Sequence, residues 1–368
     1  MKDVLADIER FERAGKRVAV ARVVALEGSG PRDPGATMVV SSDGEVAGSV
    51  SGGCVEGAVL TEALTVLDSD GAPRVVSFGY SDDDAFAVGL SCGGTIHLLI
   101  EPLPSSDVFT QLRAALRSST PVALATVIAG PDLGSHLLVT REAPAIGSLG
   151  HPDLDRVVAR DALGELEAGR SGTRHYGPAG EARQDDVSVF IESFAPPPKM
   201  VIFGAVDFTA ALLRVAKFLG YHVTVCDARA VFATRQRFPL ADEVVVDWPD
   251  RHLAAVGPTL GPRDAVCVLT HDAKFDVPAL QAALATRAGY VGAMGSRRTH
   301  EARVERLKEA GVSDDEMARV MSPIGLDLGS RTPEETAISI CAEIIAMRTG
   351  REAPSLRDVP GPIHAARP

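Results

Sequence analysis

Cysteine is scarce here: five among 368 residues, none of them in a Cys-x-x-Cys pair. So few thiols in a chain of this size exclude a disulfide framework and point to a reducing, cytoplasmic setting. Four-coordinate structural zinc is not expected either. Aromatic residues make up only 5%, with a single tryptophan, and Lys plus Arg (37) are outnumbered by Asp plus Glu (49), for a net charge of −12. Without a basic cluster or aromatic platforms, neither nucleic acid nor an anionic membrane is an expected partner. No apolar run approaches the roughly 18 residues that a membrane span needs. The opening residues, Met1-Lys-Asp-Val-Leu-Ala-Asp-Ile-Glu-Arg-Phe11, read as an amphipathic helix carrying acidic residues rather than as an export signal. What is present is 45% hydrophobic and 23% charged, an ordinary soluble composition, at a length that accommodates two or three domains.

One stretch looks least like scaffold: Gly48-Ser-Val-Ser-Gly-Gly-Cys-Val-Glu-Gly57. It closes a predicted strand and opens a predicted helix over about 56–67. Gly52, Gly53 and Gly57 remove β-carbons around Cys54, so another molecule can approach the backbone. The helix start is expected to aim N–H groups and the positive dipole end at the turn, favouring the thiolate that attacks electrophiles and binds soft metals. The competing reading is a small residue buried under a tight turn.

Along the chain, a first helix ends near Gly15, and Val18–Leu26 is β-prone. A Gly- and Pro-rich loop, Gly28-Ser-Gly-Pro-Arg-Asp-Pro-Gly35, follows. Thr37–Ser41 and Glu45–Ser49 read as a hairpin, and Arg74–Phe78 and Thr95–Ile100 as strands. Between the last two lies a second glycine-flanked thiol, Gly89-Leu-Ser-Cys-Gly-Gly94. The layout then recurs. Val122–Ile128 matches the first strand, Ala145-Ile-Gly-Ser-Leu-Gly150 aligns without a gap with Val46-Ala-Gly-Ser-Val-Ser51, and Val187–Glu192 echoes Ile96–Glu101. We read an internal duplication. In the second copy Asp153 stands opposite Cys54, Asp155 opposite Glu56 and Arg183 opposite Cys92. A module that folds without either thiol weakens a packing explanation for both.

Ala195-Pro-Pro-Pro198 marks a boundary. Beyond it strand and helix patterns alternate, which predicts a parallel sheet with helices on both faces. The strands are Met200–Phe203, His222–Cys226, Glu243–Val246, Ala265–Leu269 and Tyr290–Met294. The last helix opens on Thr332, Pro333 and Glu335, a capping box. The fold class is therefore α/β: a β-rich, duplicated N-terminal module over 1–195 (repeats 1–104 and 105–195), a Rossmann-like doubly wound domain over 199–350, and a loose tail over 351–368. Dinucleotide turns need Gly-x-Gly-x-x-Gly, and Gly204-Ala-Val-Asp-Phe-Thr209 keeps only the first glycine, with Asp207 near the phosphate position. Asp227, by contrast, ends the second strand, where such folds hold a ribose hydroxyl. Asp272 ends Leu269-Thr-His-Asp272, and Asp276 is expected to cap the next helix. Ser296, Arg297 and Arg298 bring a hydroxyl and two guanidinium groups to an anion-binding helix start, unless the arginines are solvated surface charges.

With these residues assembled, the chain resembles the XdhC/CoxI family of accessory proteins for molybdenum hydroxylases. The resemblance rests on Gly28-Ser-Gly-Pro-Arg32, Gly48–Glu56 and Gly89–Gly94, and on Thr270-His-Asp272, Gly292–Arg298 and Gly325-Leu-Asp-Leu-Gly-Ser-Arg-Thr-Pro-Glu-Glu335. It implies an accessory protein that turns nothing over by itself. Such a protein binds molybdenum cofactor (molybdopterin), protects it during sulfuration, and delivers it to an apo molybdenum hydroxylase of the xanthine dehydrogenase or CO dehydrogenase type. A cysteine desulfurase as second partner and a homodimer are implied as well. On that basis Cys54 is a candidate ligand for the molybdenum or a sulfur carrier, with Gly52, Gly53, Cys92 and Gly93 around it. Arg32 is the candidate phosphate or pterin partner, and Glu56 either caps its helix or bonds the pterin edge. In the second half Gly204, Asp227, Asp272, Ser296, Arg297 and Arg298 complete the candidate cofactor-binding set. Two other readings stay open: an NAD(P)-dependent oxidoreductase using the Rossmann-like half, and a thiol-based sulfur or metal-transfer protein.

Overall fold

The β-branched runs of the first half pair into two antiparallel sheets with the same strand order. The computed structural model describes residues 1–28, 32–69, 71–79 and 94–359. In the first sheet β1 (Val18–Glu27), β2 (Thr37–Ser41), β3 (Val46–Gly48), β4 (Arg74–Phe78) and β5 (Thr95–Pro102) are arranged β3-β2-β1-β5-β4. In the second, β6 (Val122–Ala129), β7 (His136–Val139), β8 (Ile146–Gly147), β9 (Gly172–Tyr176) and β10 (Val187–Phe194) run β8-β7-β6-β10-β9. Helices α1 (Leu5–Arg13), α2 (Glu56–Asp68), α3 (Asp107–Ser118) and α4 (Pro152–Ala168) cover them. Alternation along each strand decides which face each helix meets. Ala19, Ala21, Val23, Ile96 and Leu98 pack under Val59, Ala63 and Val66 of α2. Their counterparts Ala123, Ala125, Val127, Val187 and Val189 pack under Val158 and Ala162 of α4. Gly48 and Gly147 show how closely the copies match. Both have positive φ (78° and 96°). In both, a β-carbon would collide with a carbonyl oxygen, that of Thr37 or that of His136.

The second half is a six-stranded, all-parallel sheet. Its strands are β11 (Lys199–Phe203), β12 (His222–Cys226), β13 (Glu243–Val245), β14 (Ala265–Val268), β15 (Tyr290–Ala293) and β16 (Val320–Met321). The order is β13-β12-β11-β14-β15-β16. Counted from β11 this is 3-2-1-4-5-6, the doubly wound arrangement of dinucleotide-binding domains. Strands β11, β12 and β14 are buried on both faces and read as continuous apolar runs, as parallel strands must. Helices α5 (Asp207–Phe218) and α10 (Pro333–Thr349) cover one face. The other is covered by α6 (Pro249–Val256) and α7 (Ala273–Leu284), with Leu307 of α8 (Arg297–Glu309) and the edge of the short α9 (Asp314–Met317). The capping box at Thr332 and Glu335 is formed, and the helix ends on Gly350 in left-handed conformation. The strand β16 was not foreseen; two residues before Ser322-Pro323 are too short to leave a periodic signal.

The chain divides into two compact units, 1–196 with the segment from Leu356, and 197–355. Cys226, Cys267 and Cys341 are buried in the second, as core residues. Among the described residues no helix is long and apolar enough to cross a membrane.

Candidate functional site

The turn before α2 is built around one carboxylate. Glu56 Oε1 accepts from Ser49 Oγ (2.7 Å), from the Ser51 amide (2.9 Å) and from the Val50 amide (3.3 Å). Its Oε2 accepts from Ser51 Oγ (2.5 Å) and from the Gly53 amide (2.8 Å). The Gly52 amide donates to Ser49 Oγ, and the Val55 amide to Ser51 Oγ. The amides of residues 50–53 and 55 therefore serve the turn itself, which corrects the expectation of free N–H groups aimed at the turn to favour a thiolate there. Gly52 and Gly53, with φ of 78° and 121°, have no atom of the described residues within 4 Å of where a β-carbon would stand. Cys54 is exposed beside them. The result is an exposed thiol in a hydrogen-bonded turn, beside two glycines that no described residue crowds.

Partial burial alone would push the Glu56 carboxyl up, but the hydrogen bonds from Ser51 and Ser49 outweigh it and bring it from 4.5 down to about 2. A depressed folded-state value means that its stabilisation is complete above pH 4.5 and fades as the pH falls toward 2. Glu56→Gln should loosen residues 49–55 at neutral pH, seen as faster amide exchange. The variant should also lack the further loosening that the native chain shows below pH 4.5. The second copy repeats the device: Asp155 accepts from Ser148 Oγ (2.8 Å) and from the Leu149 amide (2.6 Å). There Asp153 replaces the thiol, so the turn does not need sulfur to form. Ser49 and Ser51 are the positioning residues that sequence reasoning passed over. Their signal was the Ser-x-Ser spacing ahead of a glutamate at the start of a helix. Arg32 is exposed. Cys92 and Gly93 lie outside the described residues.

Between the two sheets sits a charged cluster that the sequence did not reveal. Arg22 is fully buried. Its Nη2 donates to Glu101 Oε1 at 2.6 Å, and its Nη1 lies 3.4 Å from Glu192 Oε2. His136 Nε2 meets Glu101 Oε2 at 3.0 Å, and Thr126 joins both Arg22 and His136. Arg22 and Thr126 occupy matching places in the two copies, as do Glu101 and Glu192. One arginine thus stands where symmetry would offer two.

In the second unit the glycine turn is closed by its own neighbours. Gly204 has φ of 108°, and a β-carbon there would crowd Thr270 at 2.9 Å. The Ala205 amide donates to Asp227 Oδ2 (2.8 Å), and Arg237 Nη1 donates to the Ala205 carbonyl (3.1 Å). Asp227 is further held by the Arg229 amide and guanidinium at 2.8–2.9 Å. Burial opposes its ionisation, but these bonds outweigh burial and keep the carboxyl below its usual range. The carboxylate that would take a ribose hydroxyl is thus occupied. Val206 brings a branched side chain to the second glycine position, and Asp207 stands exposed at the helix start, 3.9 Å from Arg237. These residues do not fit a dinucleotide diphosphate.

Asp272, not Asp276, caps α7: its side chain accepts from the Lys274 amide at 3.1 Å. Asp276 is buried. It accepts from Thr270 Oγ1 and, at 2.9 Å, from Arg303 Nη2. Arg303 also reaches the Met294 carbonyl (2.7 Å) and Ser322 Oγ (3.0 Å), tying together the ends of β14, β15 and β16. Ser296 caps α8 by accepting from the Thr299 amide at 3.1 Å, and Arg297 and Arg298 are exposed beside it. Among the described residues no group of three or more His, Cys, Asp or Glu is placed to hold a metal ion.

Two family models cover this architecture. The XdhC and CoxI family matches residues 11–79 and 115–177, and the XdhC Rossmann domain matches 200–344. The chain belongs to the XdhC and CoxI family. It is 27% identical over 339 residues to a probable xanthine dehydrogenase subunit of Bacillus subtilis, covering 90% of this chain and 94% of that one. It is 27% identical over 342 residues to the molybdenum cofactor insertion chaperone PaoD of Escherichia coli, covering 93% and 87%. A crystal structure described as a xanthine dehydrogenase from Bacillus halodurans superposes with a TM-score of 0.66 at 26% identity, covering 96% of this chain and 98% of that one. The XdhC Rossmann domain thus keeps the doubly wound sheet here while its glycine turn is rebuilt.

Proposed function

We propose that this chain is a maturation chaperone that carries molybdenum cofactor as cargo. It binds the cofactor, shields it while a sulfur delivered by a cysteine desulfurase is installed, and passes it to an apo molybdenum hydroxylase. The observation that carries this is the exposed Cys54 beside two glycines that no described residue crowds, in a turn braced by Glu56. A soft sulfur ligand suits molybdenum, and a bare glycine turn admits a bulky pterin. The name of the Escherichia coli relative supports the cargo. Arg32 is the cation proposed for its phosphate in the first unit, while Ser296, Arg297 and Arg298 offer a hydroxyl and two cations to an anion in the second. The protein is proposed to act as a cytoplasmic homodimer and to turn nothing over alone.

Incubation with released molybdenum cofactor, then gel filtration and metal analysis, tests this. The expected result is molybdenum co-eluting with the protein. Nicotinamide binding or turnover with no pterin retained would overturn it in favour of an oxidoreductase, the reading that the closed turn at Gly204 and Ala205 disfavours.

A further inference from the structure

Trp248 follows β13 and opens α6, while Phe275 lies in the first turn of α7, after β14. Their rings are 5.0 Å apart at 48°, and the Lys274 ammonium sits 4.8 Å from the Phe275 centroid. Phe275 is 7% exposed but Trp248 keeps 39%, so the indole is the outward member of the stack. The neighbouring strand ends supply charge. Asp272 pairs with Lys274 at 3.1 Å and lies within electrostatic reach of Arg229, at the end of β12. In open doubly wound sheets, ligands bind outside the carboxyl ends of the strands, beside the switch in strand order, here between β11 and β14.

A half-exposed indole backed by a second ring, with the Lys274 ammonium over that ring, matches one kind of occupant. That occupant is a planar heteroaromatic ring with an anionic substituent, stacked on its face and steered by Lys274. We infer that Trp248 and Phe275 form a stacking subsite for the ring of a nucleoside phosphate or a pterin phosphate. The subsite engages the ring end of its ligand, whereas the Gly204 turn refuses the diphosphate. The inference leans on the cargo reading only for the natural identity of the occupant.

Trp248 is the sole tryptophan, so its emission reports on this place alone. The full-length protein would be titrated with cytidine monophosphate and guanosine monophosphate by fluorescence, and with neopterin monophosphate by calorimetry. The expected result is a saturable response to at least one, weakened about tenfold by Phe275→Leu, the loss of one stacking partner. Lys274→Ala, at an exposed position, should weaken it as well and serves as the second variant if Phe275→Leu loses its native circular dichroism. Response to nucleotides alone identifies the nucleotide end of a cofactor, and response to the pterin alone identifies its pterin end. No saturable response to any of the three at millimolar concentration overturns the subsite, as does affinity unchanged in both variants. Cargo retention without any response here removes the subsite and leaves the chaperone; a response here without cargo retention does the reverse.

Discussion

Replacing Arg22 with alanine should destabilise the first unit by about 3–5 kcal/mol at neutral pH, the usual loss when one partner of a buried ion pair is removed. The guanidinium is fully buried and faces Glu101 and Glu192, which are buried themselves. Burial opposes the charge on Glu101, but Arg22 and His136 outweigh it and hold its carboxyl below the ordinary range. In the native chain this contribution is complete above the unfolded carboxylate value and is lost as the pH falls through the lower folded one. Without Arg22 the sign reverses. Glu101, left buried without that guanidinium, would have a raised value, so the variant should regain stability on mild acidification. A triple replacement, Arg22→Met with Glu101→Gln and Glu192→Gln, should recover much of the loss, because the unpaired charge is gone. Amide exchange of β1, β5 and β10 against pH measures this; the sole tryptophan lies in the other unit and is blind to it. A loss under about 1 kcal/mol, or the same pH slope in variant and native chains, would show that the cluster contributes little.

Cys54→Ala should bring molybdenum retention down to background while leaving stability within about 0.5 kcal/mol, as for an exposed side chain. Cys54→Ser should fail as well, since a hydroxyl is a hard, protonated ligand where a soft thiolate is wanted. The buried cysteines offer no substitute. Desolvation pushes Cys226 and Cys341 up to about 12, and Cys267 well above its usual value, so none supplies a thiolate at neutral pH. Gel filtration with metal analysis of both variants decides the point. Retention equal to that of the native chain would remove Cys54 from the site.

Local signals identified much of this architecture. Thr37–Ser41, Arg74–Phe78 and His222–Cys226 match the strands residue for residue, because alternation or a short β-branched run bounded by Gly, Pro or Asp leaves the backbone little choice. The capping box at Thr332 and Glu335 was equally readable, being made within four residues. Asp276 was misread for the opposite reason. Its position suits a cap, yet its carboxylate is claimed by Arg303, 27 residues onward. Asp227 ends its strand as expected, but Arg229 and the Ala205 amide occupy it.

Periodicity, turn chemistry and the order of apolar runs were enough to specify the strands and helices of two β-rich modules and a parallel sheet, and a glycine-lined thiol, since each single element is set by residues a few apart. Which charges face one another was settled only by the folded chain. Arg22 meets carboxylates 79 and 170 residues away, and Trp248 meets Phe275 across two strand ends. Such pairings follow from sheet order and register, and no short stretch of sequence carries either.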